Sequence, residues 1–283
     1  MIEKQFRWQK MKRHEITGVE ALLQSREPFC VTACSRFINR QTKDKIWTLR
    51  NSEGRIIALI IYSRQSLLPV FCSQQFITAP HLMLKSIRTL PVHAIQGLQS
   101  EVLILEQFLQ QFGLDPAEII DYDLMLIDGL PDQNNLSAGP ADLVLRSPRY
   151  TDMNALASLQ AGYEQEEVLP KGAVFNPAAS RYNMEKIFSD EQILIAQLNG
   201  RLVGKINTSA ASFSCFQIGG VYVHPEFLNM GIARRMTAEF VSSLVSQGKK
   251  VSLFVKKSNP AALSVYRHCG FEYLEDYRIS YYF

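Results

Sequence analysis

The chain has 283 residues, of which 47% are apolar and 20% charged, a composition ordinary for a globular protein long enough for two domains. Its net charge of +3 is too small to indicate a nucleic-acid partner. The longest apolar run, residues 56–62, has the length of a strand, so no membrane span is predicted. Five cysteines without metal-ligand spacing indicate reduced thiols in a cytoplasmic protein that binds no metal.

The first half is predicted to contain short helices and strands, followed by a turn-rich segment. Apolar spacing predicts helices at residues 15–24, 29–38, 81–89 and 101–112. Runs of strand-forming residues predict strands at 45–50, 56–62, 67–72, 92–95 and 119–127. Residues 129–141 are rich in Gly, Pro, Asp and Asn, so we predict a linker there, between a domain at 1–128 and another at 142–283.

The second half is predicted to start with a strand at 143–146 and helices at 152–160 and 178–188. Strands at 193–198 and 202–207 are joined by Asn199-Gly200, a strong two-residue hairpin signal. A strand at 215–223, a helix from 232, a strand at 250–255, a helix at 260–269 and final strands complete it. Because both halves have nearly the same order of elements, we interpret them as a tandem of related folds; short α+β domains also share such an order by chance.

Residues 219–233 lead from a strand into a helix. Pro225 ends the strand, and Ile232, Met236 and Phe240 recur every four residues on one helix face. Gly231 therefore lies where free backbone N–H groups and the positive end of the helix dipole favour a phosphate. An ordinary strand-to-helix connection would have the same pattern.

A second motif follows the strand at 250–255. Asn259 is a good N-cap, Pro260 fits the first helical position, and Gly270 suits the residue just past the helix end. The motif therefore predicts a short helix with Tyr266 in its last turn.

Together the two motifs resemble those of the GNAT superfamily, the acetyl-CoA-dependent N-acyltransferases. Members carry Val-x-Pro, then Arg/Gln-x-x-Gly-x-Gly/Ala, and later Asn-x-x-Ala-x-x-x-Tyr-x-x-x-Gly-Phe. The matching residues here are Val223, Pro225, Gly231, Ala233, Asn259, Ala262, Tyr266, Gly270 and Phe271. The resemblance covers residues 142–283. Leu228 stands where the family has the Arg or Gln that helps to shape the pyrophosphate loop.

The resemblance implies an α+β fold with a mixed sheet, the GNAT acyl-CoA N-acyltransferase fold, in two tandem domains. The first would be a degenerate GNAT-like domain without CoA, since residues 73–82, its counterpart of the phosphate loop, contain no glycine. Acetyl-CoA is the implied cosubstrate, held by Val221, Tyr222, Val223, Leu228, Asn229, Met230, Gly231, Ile232, Ala233, Arg234, Asn259 and Tyr266. Seven Lys and Arg residues between 231 and 267 either attract the phosphates of CoA or form a solvated face.

The implied reaction needs a donor for the acyl oxygen, a donor for the leaving thiolate and a base for the amine. The family supplies the first from a backbone N–H, here near Val221–Val223, and the second from Tyr266. No carboxylate lies on the strand before the loop. Glu164, Glu166 and Glu167 are therefore the candidate bases, because clustered carboxylates repel and one can acquire a raised pKa. They could equally bind a cationic acceptor or form a solvated loop.

We therefore predict an N-acetyltransferase that moves an acetyl group from acetyl-CoA to a primary amine of a small molecule or peptide by direct attack. A non-catalytic acyl-CoA-binding or sensing module is the alternative, favoured by Leu228 and the strand without a carboxylate. An aminoacyl transferase using tRNA is a third reading. The acceptor and the oligomeric state are not specified by any motif.

Overall fold

The computed structural model describes residues 7–71, 87, 89–169 and 172–282. Up to residue 127 its strands are β1 (Arg7–Lys10), β2 (Lys45–Arg50), β3 (Ile56–Ser63), β4 (Ser66–Phe71), β5 (Ala94–Leu98) and β6 (Glu118–Ile127). The helices there are α1 (Ile16–Ser25), α2 (Val31–Ile38) and α3 (Gln99–Gln110). The predicted helix at 81–89 and phosphate-loop counterpart at 73–82 lie, apart from residues 87 and 89, outside the described residues.

Beyond residue 127 the strands are β7 (Val144–Arg146), β8 (Ile193–Leu198), β9 (Arg201–Ala211), β10 (Cys215–Val223), β11 (Lys250–Lys256) and β12 (Glu272–Tyr281). The helices are α4 (Met153–Tyr163), α5 (Pro177–Asp190), α6 (Ile232–Val245) and α7 (Pro260–His268). Helix α4 continues into a π-helical turn, Glu164–Val168, within a stretch that the sequence predicts to be a loop. No helix in the described part of the chain is both long and apolar enough to cross a membrane.

The chain divides into two compact units. The first comprises Met1–Leu124 and Leu274–Phe283, and the second comprises Met125–Tyr273. The division differs from the predicted domains because β12 pairs antiparallel with β5, Tyr277 opposite Leu98. Arg278 on β12 also bonds Asp121 at 2.8 Å, which ties this strand to the first unit.

Within the first unit the strands follow the order β1-β2-β3-β4-β5-β12-β6. Its core contains Trp47, Ile60, Leu67, Val102 and Leu105, which bring α3 against the sheet. The core residues Ala58, Ile60 and Tyr62 alternate along β3, and Val102, Leu105 and Leu109 recur at helical spacing along α3, as a sheet covered by a helix requires.

Within the second unit the order is β6-β11-β10-β9-β8-β7, with β6 contributing its last residues. The hairpin between β8 and β9 turns at Asn199 (φ 49°) and Gly200 (φ 79°). The core packs α6 and α7 on the sheet through Ile232, Met236, Phe240, Leu253 and Phe271.

The segment 129–141, predicted as a linker, is built into the second unit. Asn135 is buried and its side chain donates to the His268 carbonyl at 2.8 Å, while Leu136 packs against the core. Its residues Gln133–Ser137 form a 3-10 helix, and polar side chains satisfied by backbone groups allow such a turn-rich segment to pack.

Candidate active site

The loop before α6 has the geometry of an anion site. Asn229 (φ 61°) and Gly231 (φ 77°) are both left-handed, so the backbone turns sharply into the helix. Arg235 N–H makes the first bond, to the Gly231 carbonyl at 3.1 Å, which leaves the N–H groups of residues 232–234 without intrahelical acceptors. Leu228 and Met230 are 55% and 41% exposed, so their side chains do not fill the bend.

Two features of this loop differ from the sequence interpretation. The Leu228 N–H donates to Pro225 at 3.4 Å in a turn, so it is not freely available to a phosphate. A Cβ at Gly231 would lie 2.9 Å from the Gly139 nitrogen. Glycine is therefore required here by the packing of segment 129–141 as well as by the backbone angle.

Strand β10 separates from β11 beside this loop. The two strands pair in parallel at Cys215–Gln217, opposite Lys250–Ser252, and the described registers contain no pair beyond Gln217. On the other side, Gly219 is opposite Asn207 and Tyr222 is opposite Lys205, so Gly220 and Val221 form a bulge opposite Ile206 alone. Gly220 has a left-handed φ of 58°. Strand β10 is thus distorted at residues 220–221, beyond the last residue that it pairs with β11.

A buried lysine holds this bulge. The Lys205 side chain is fully buried, and its Nζ donates to the Gly220 carbonyl at 3.0 Å and to Asn207 Oδ1 at 2.9 Å. The Asn207 amide in turn donates to Glu191 at 2.9 Å. Burial lowers the pKa of Lys205 to about 7, while the negative charges of Glu191 and Glu164 oppose that shift.

The three candidate carboxylates point to different partners. Glu164 accepts from Gln160 at 2.8 Å, Glu166 accepts from the Tyr222 hydroxyl at 2.7 Å, and Glu167 accepts from Asn259 at 3.1 Å. The π-helical turn separates their directions. The predicted repelling cluster is therefore three carboxylates, each hydrogen-bonded separately.

The Glu166–Tyr222 pair joins the π-helical turn to β10. A side chain at Gly162 would overlap the Tyr222 ring, whose Cζ lies 2.7 Å from an ideal Cβ position, so the glycine admits the tyrosine. Burial, followed by the bond to Glu166, raises the pKa of Tyr222 to about 12. The phenol therefore stays protonated and donates to the carboxylate.

Tyr266 lies on α7 and Asn259 directly precedes this helix, and both interact with Glu167 of the π-helical turn. Burial, and then the proximity of Tyr163 and Glu167, raises the pKa of Tyr266 far above its ordinary value. Its ring packs edge-on against that of Phe271, with the ring centroids 5.9 Å apart. No described residue hydrogen-bonds its hydroxyl. Asn259 caps α7 by accepting from Ala262 N–H at 3.0 Å, as the sequence predicts.

Only part of the predicted basic set is available to phosphates. Lys249 donates to the Phe213 carbonyl at 2.6 Å, Lys250 pairs with Asp128, and Lys256 lies 3.9 Å from Glu167. Arg234, in the first turn of α6, has a buried Nε without a hydrogen-bond partner among the described residues. Arg235, in the same turn, also has such an Nε, but its Nη1 donates to the Pro140 carbonyl at 3.4 Å.

Comparisons with known proteins show which family and fold the chain is similar to. Residues 159–271 match the family model of the acetyltransferase (GNAT) family. A curated acetyltransferase of Pectobacterium atrosepticum is 29% identical over 82 residues, 28% of this chain and 56% of the relative. The matched region thus spans little more than half of that relative's length.

Solved structures share the fold along nearly the whole chain. A GCN5-related N-acetyltransferase from Sphaerobacter thermophilus matches with a TM-score of 0.61 and 16% identity, over 97% of this chain and 94% of the other. A tandem GNAT protein from the clavulanic acid biosynthesis pathway matches with a TM-score of 0.58 and 12% identity, over 97% of both chains. The chain has the tandem GNAT fold, and its residues 159–271 are similar to the GNAT acetyltransferase family.

Sequence reasoning did not find Lys205 or Asn207, whereas the glycines at 219 and 220 inside a strand do indicate a bulge or a close approach of a ligand. A signal was present: Val203, Lys205 and Asn207 share one strand face by alternation, so Lys205 lies on the same side of β9 as the buried Val203. No local pattern indicates that its partner is the Gly220 carbonyl on the next strand.

Proposed function

We propose that this protein is an N-acetyltransferase that transfers the acetyl group of acetyl-CoA to a primary amine by direct attack. The observation that carries the proposal is the α6 N-terminus, with free N–H groups, next to a strand that bulges and separates from its neighbour. A helix N-terminus suits the diphosphate, and an unpaired strand edge suits an extended pantetheine.

The binding residues follow from that placement. The N–H groups from Asn229 to Arg234 and the Arg234 guanidinium hold the diphosphate, with Leu228 contributing its exposed side chain. Val221, Tyr222 and Val223 border the pantetheine and supply the backbone donor for the acyl oxygen. Asn259 keeps α7 in position, so that Tyr266 reaches the sulfur.

In the reaction a C–N bond forms and the C–S bond breaks. The acceptor must be neutral to attack, although a free alkylamine has a pKa of about 10.4. Glu166 takes the amine proton, because it is the carboxylate hydrogen-bonded to β10 itself. Glu164 and Glu167, bound to other partners, contribute charge for a cationic acceptor.

Tyr266 acts on the leaving group as a hydrogen-bond donor. A thiol has a pKa of about 8.5, so complete proton transfer from a phenol with a strongly raised pKa is uphill. The hydroxyl instead stabilises the departing thiolate, and solvent supplies the proton. A hydrogen bond to a charged group is worth about 1.5–3 kcal/mol.

We also propose that the first unit is a GNAT-like domain that does not bind CoA and serves a structural or acceptor-binding role. The support is Glu101, whose buried carboxylate accepts from the Phe71 N–H at the end of β4 at 3.0 Å. In the second unit the buried side chain of Lys205 instead bonds a backbone carbonyl on β10, that of Gly220.

Calorimetry with acetyl-CoA tests the cosubstrate. Met230→Glu puts a negative charge in the loop, and we expect it to weaken binding by about tenfold or more through repulsion of the phosphates. Met230→Gln is the matched control of equal size, and its affinity should stay close to that of the wild type. Absence of any binding heat in the wild type at millimolar acetyl-CoA would refute the proposal.

Thiol release from acetyl-CoA tests the transfer and the base. The acceptor panel is a polyamine, an aminoglycoside, an α-amino acid and a peptide with a free N-terminus. Glu166→Gln should lower kcat about 100-fold or more without changing acetyl-CoA affinity, whereas Glu185→Gln, on the exposed face of α5, should not. Full activity in the Gln variants of Glu164, Glu166 and Glu167 would eliminate all three as bases.

An acyl-CoA-binding module without transfer is the second candidate. Leu228 in place of Arg or Gln, and a β10 without a carboxylate, favour it. Acetyl-CoA binding without thiol release for any amine would support this function over the first.

A further inference from the structure

Lys205 is the most completely buried charged side chain of the second unit, and the reaction described above does not use it. Bringing an ammonium group out of water is unfavourable by several kcal/mol unless partners replace the water. Here the partners are Asn207 Oδ1, the Gly220 carbonyl and the Tyr163 ring, 5.1 Å from Nζ. The nearest carboxylates are Glu191, reached through Asn207, and Glu164.

Gly220 and this amine fit each other closely. A Cβ on Gly220 would lie 2.6 Å from Lys205 Nζ and would overlap the Asn207 side chain. Any other residue would also be strained at a φ of 58°. The left-handed backbone of Gly220 therefore turns its carbonyl toward the amine, and the missing side chain leaves room for the bond.

Because the peptide unit is planar, the bond to the Gly220 carbonyl also determines the direction of the Val221 N–H. No cis peptide occurs in the described chain, so the Gly220 carbonyl and the Val221 N–H point in opposite directions. Fixing the carbonyl on Lys205 therefore fixes the N–H facing away from it. A donor on the carbonyl oxygen also polarises the amide and strengthens the N–H as a donor.

We propose that Lys205 is a positioning residue for acyl transfer: it holds the Gly220–Val221 peptide so that the Val221 N–H donates to the thioester carbonyl oxygen. This inference rests on the proposed function, and it assigns a task to a side chain that never touches the substrate. Donors preorganised toward a developing oxyanion are worth about 100- to 1,000-fold in rate, and displacing one by about 1 Å costs up to about 100-fold.

The test is the infrared carbonyl band of acetyl-CoA labelled with carbon-13 at the acetyl carbon, bound to the full chain. A hydrogen bond to the thioester oxygen lowers the stretching frequency of the bound ligand relative to free acetyl-CoA. In Lys205→Met we expect most of this shift to disappear, while the Kd for acetyl-CoA stays within about threefold. Lys186→Met, the same substitution on the exposed face of α5, should retain the full shift.

Thiol release with the best amine of the panel gives the second measurement. Lys205→Met should lower kcat by about 10- to 100-fold, with KM for acetyl-CoA nearly unchanged. Asn207→Ala, which removes one of the two oxygen acceptors of Nζ, should give an intermediate band shift and serves if the methionine variant does not fold. A merely structural lysine would alter unfolding without moving the carbonyl band.

The results separate this inference from the proposed function. If the wild type does not bind acetyl-CoA, the proposed function fails. If the wild type binds and shifts the carbonyl band, and a folded Lys205→Met or Asn207→Ala variant shifts it equally, Lys205 does not position the donor. The inference is then wrong while the transferase proposal stands.

Discussion

The two units differ in which backbone group is bonded by a buried side chain where a pair of parallel strands ends. In the first unit, β4 pairs with β5 through Leu67 opposite Ile95. Further along β4, Pro69 lies against Gly97 and has no N–H to donate. The Phe71 N–H then donates to the buried carboxylate of Glu101. In the second, β10 pairs with β11 through Gln217 and then bulges, with its Gly220 carbonyl held by Lys205.

The difference shows how one architecture yields a closed and an open site. A carboxylate from the protein satisfies a backbone donor, so the donor has nothing left for a ligand. An ammonium group satisfies a backbone acceptor instead and leaves the N–H of the same peptide facing away. We propose that the buried side chain at the strand end, a carboxyl group in one unit and an amine in the other, determines whether the strand binds its own chain or a substrate.

Removing the charge from the first unit should have the largest effect on stability. Glu101 accepts from the buried Phe71 N–H and pairs with the partly exposed Arg26 at 3.0 Å, so Glu101→Ala leaves the N–H without its acceptor and Arg26 without its carboxylate. We expect a loss of about 3 to 5 kcal/mol in the free energy of unfolding, measured with urea. Glu101→Gln keeps an oxygen acceptor and should lose far less; equal losses would show that the carboxylate does not close this strand end.

The opposite charge should make the second unit pH-dependent. The pKa of Lys205 is about 7 when folded, against an ordinary 10.5, so between these values the unfolded chain binds more protons and stability rises with pH. Relative to Lys205→Met, the wild type should gain about 3 kcal/mol from pH 7 to about pH 9.5. Thermal unfolding of both proteins measures this gain; a constant difference would show that the pKa of Lys205 is not lowered.

In the proposed mechanism only the second unit binds acetyl-CoA, so only there should the loss of a tyrosine hydroxyl lower the rate. Tyr266→Phe removes the donor to the thiolate and should lower kcat by about 10- to 100-fold, with acetyl-CoA binding retained in calorimetry. Tyr62→Phe, in the first unit, is the matched control and should leave kcat unchanged. An unchanged rate in Tyr266→Phe would remove this residue from the reaction.

The smallest effect concerns the cap that holds Tyr266 in place. Asn259→Ala removes the acceptor for Ala262 N–H and the donor to Glu167, and we expect a loss of about 1 kcal/mol in unfolding free energy. Asn259→Asp keeps the capping acceptor but places a second carboxylate against Glu167. Compared with Asn259→Ala, this variant should therefore regain stability more fully than activity. Full recovery of both would mean that the Glu167 contact is unimportant.

Local signals predicted much of this molecule. The Asn199-Gly200 hairpin and the Asn259 cap depend on neighbouring residues only, so the local sequence predicts them directly. The relation of Lys205 to Gly220 and of Glu101 to Phe71 depends on strands and helices meeting across many residues, which no single-sequence pattern encodes. The roles of Glu164, Glu166 and Glu167 stay predictions, and the sequence did not indicate the π-helical turn that directs these side chains to separate partners.

Strand β12 has a consequence for how the polypeptide is made. In the first unit it lies between β5 and β6, so this sheet lacks an interior strand until residues near Tyr281 have left the ribosome. The first unit therefore stays incompletely folded during translation while the second unit is synthesised. A gene fragment cut at the turn-rich segment would encode a first unit that exposes the edges where β12 belongs, and such edges recruit other chains.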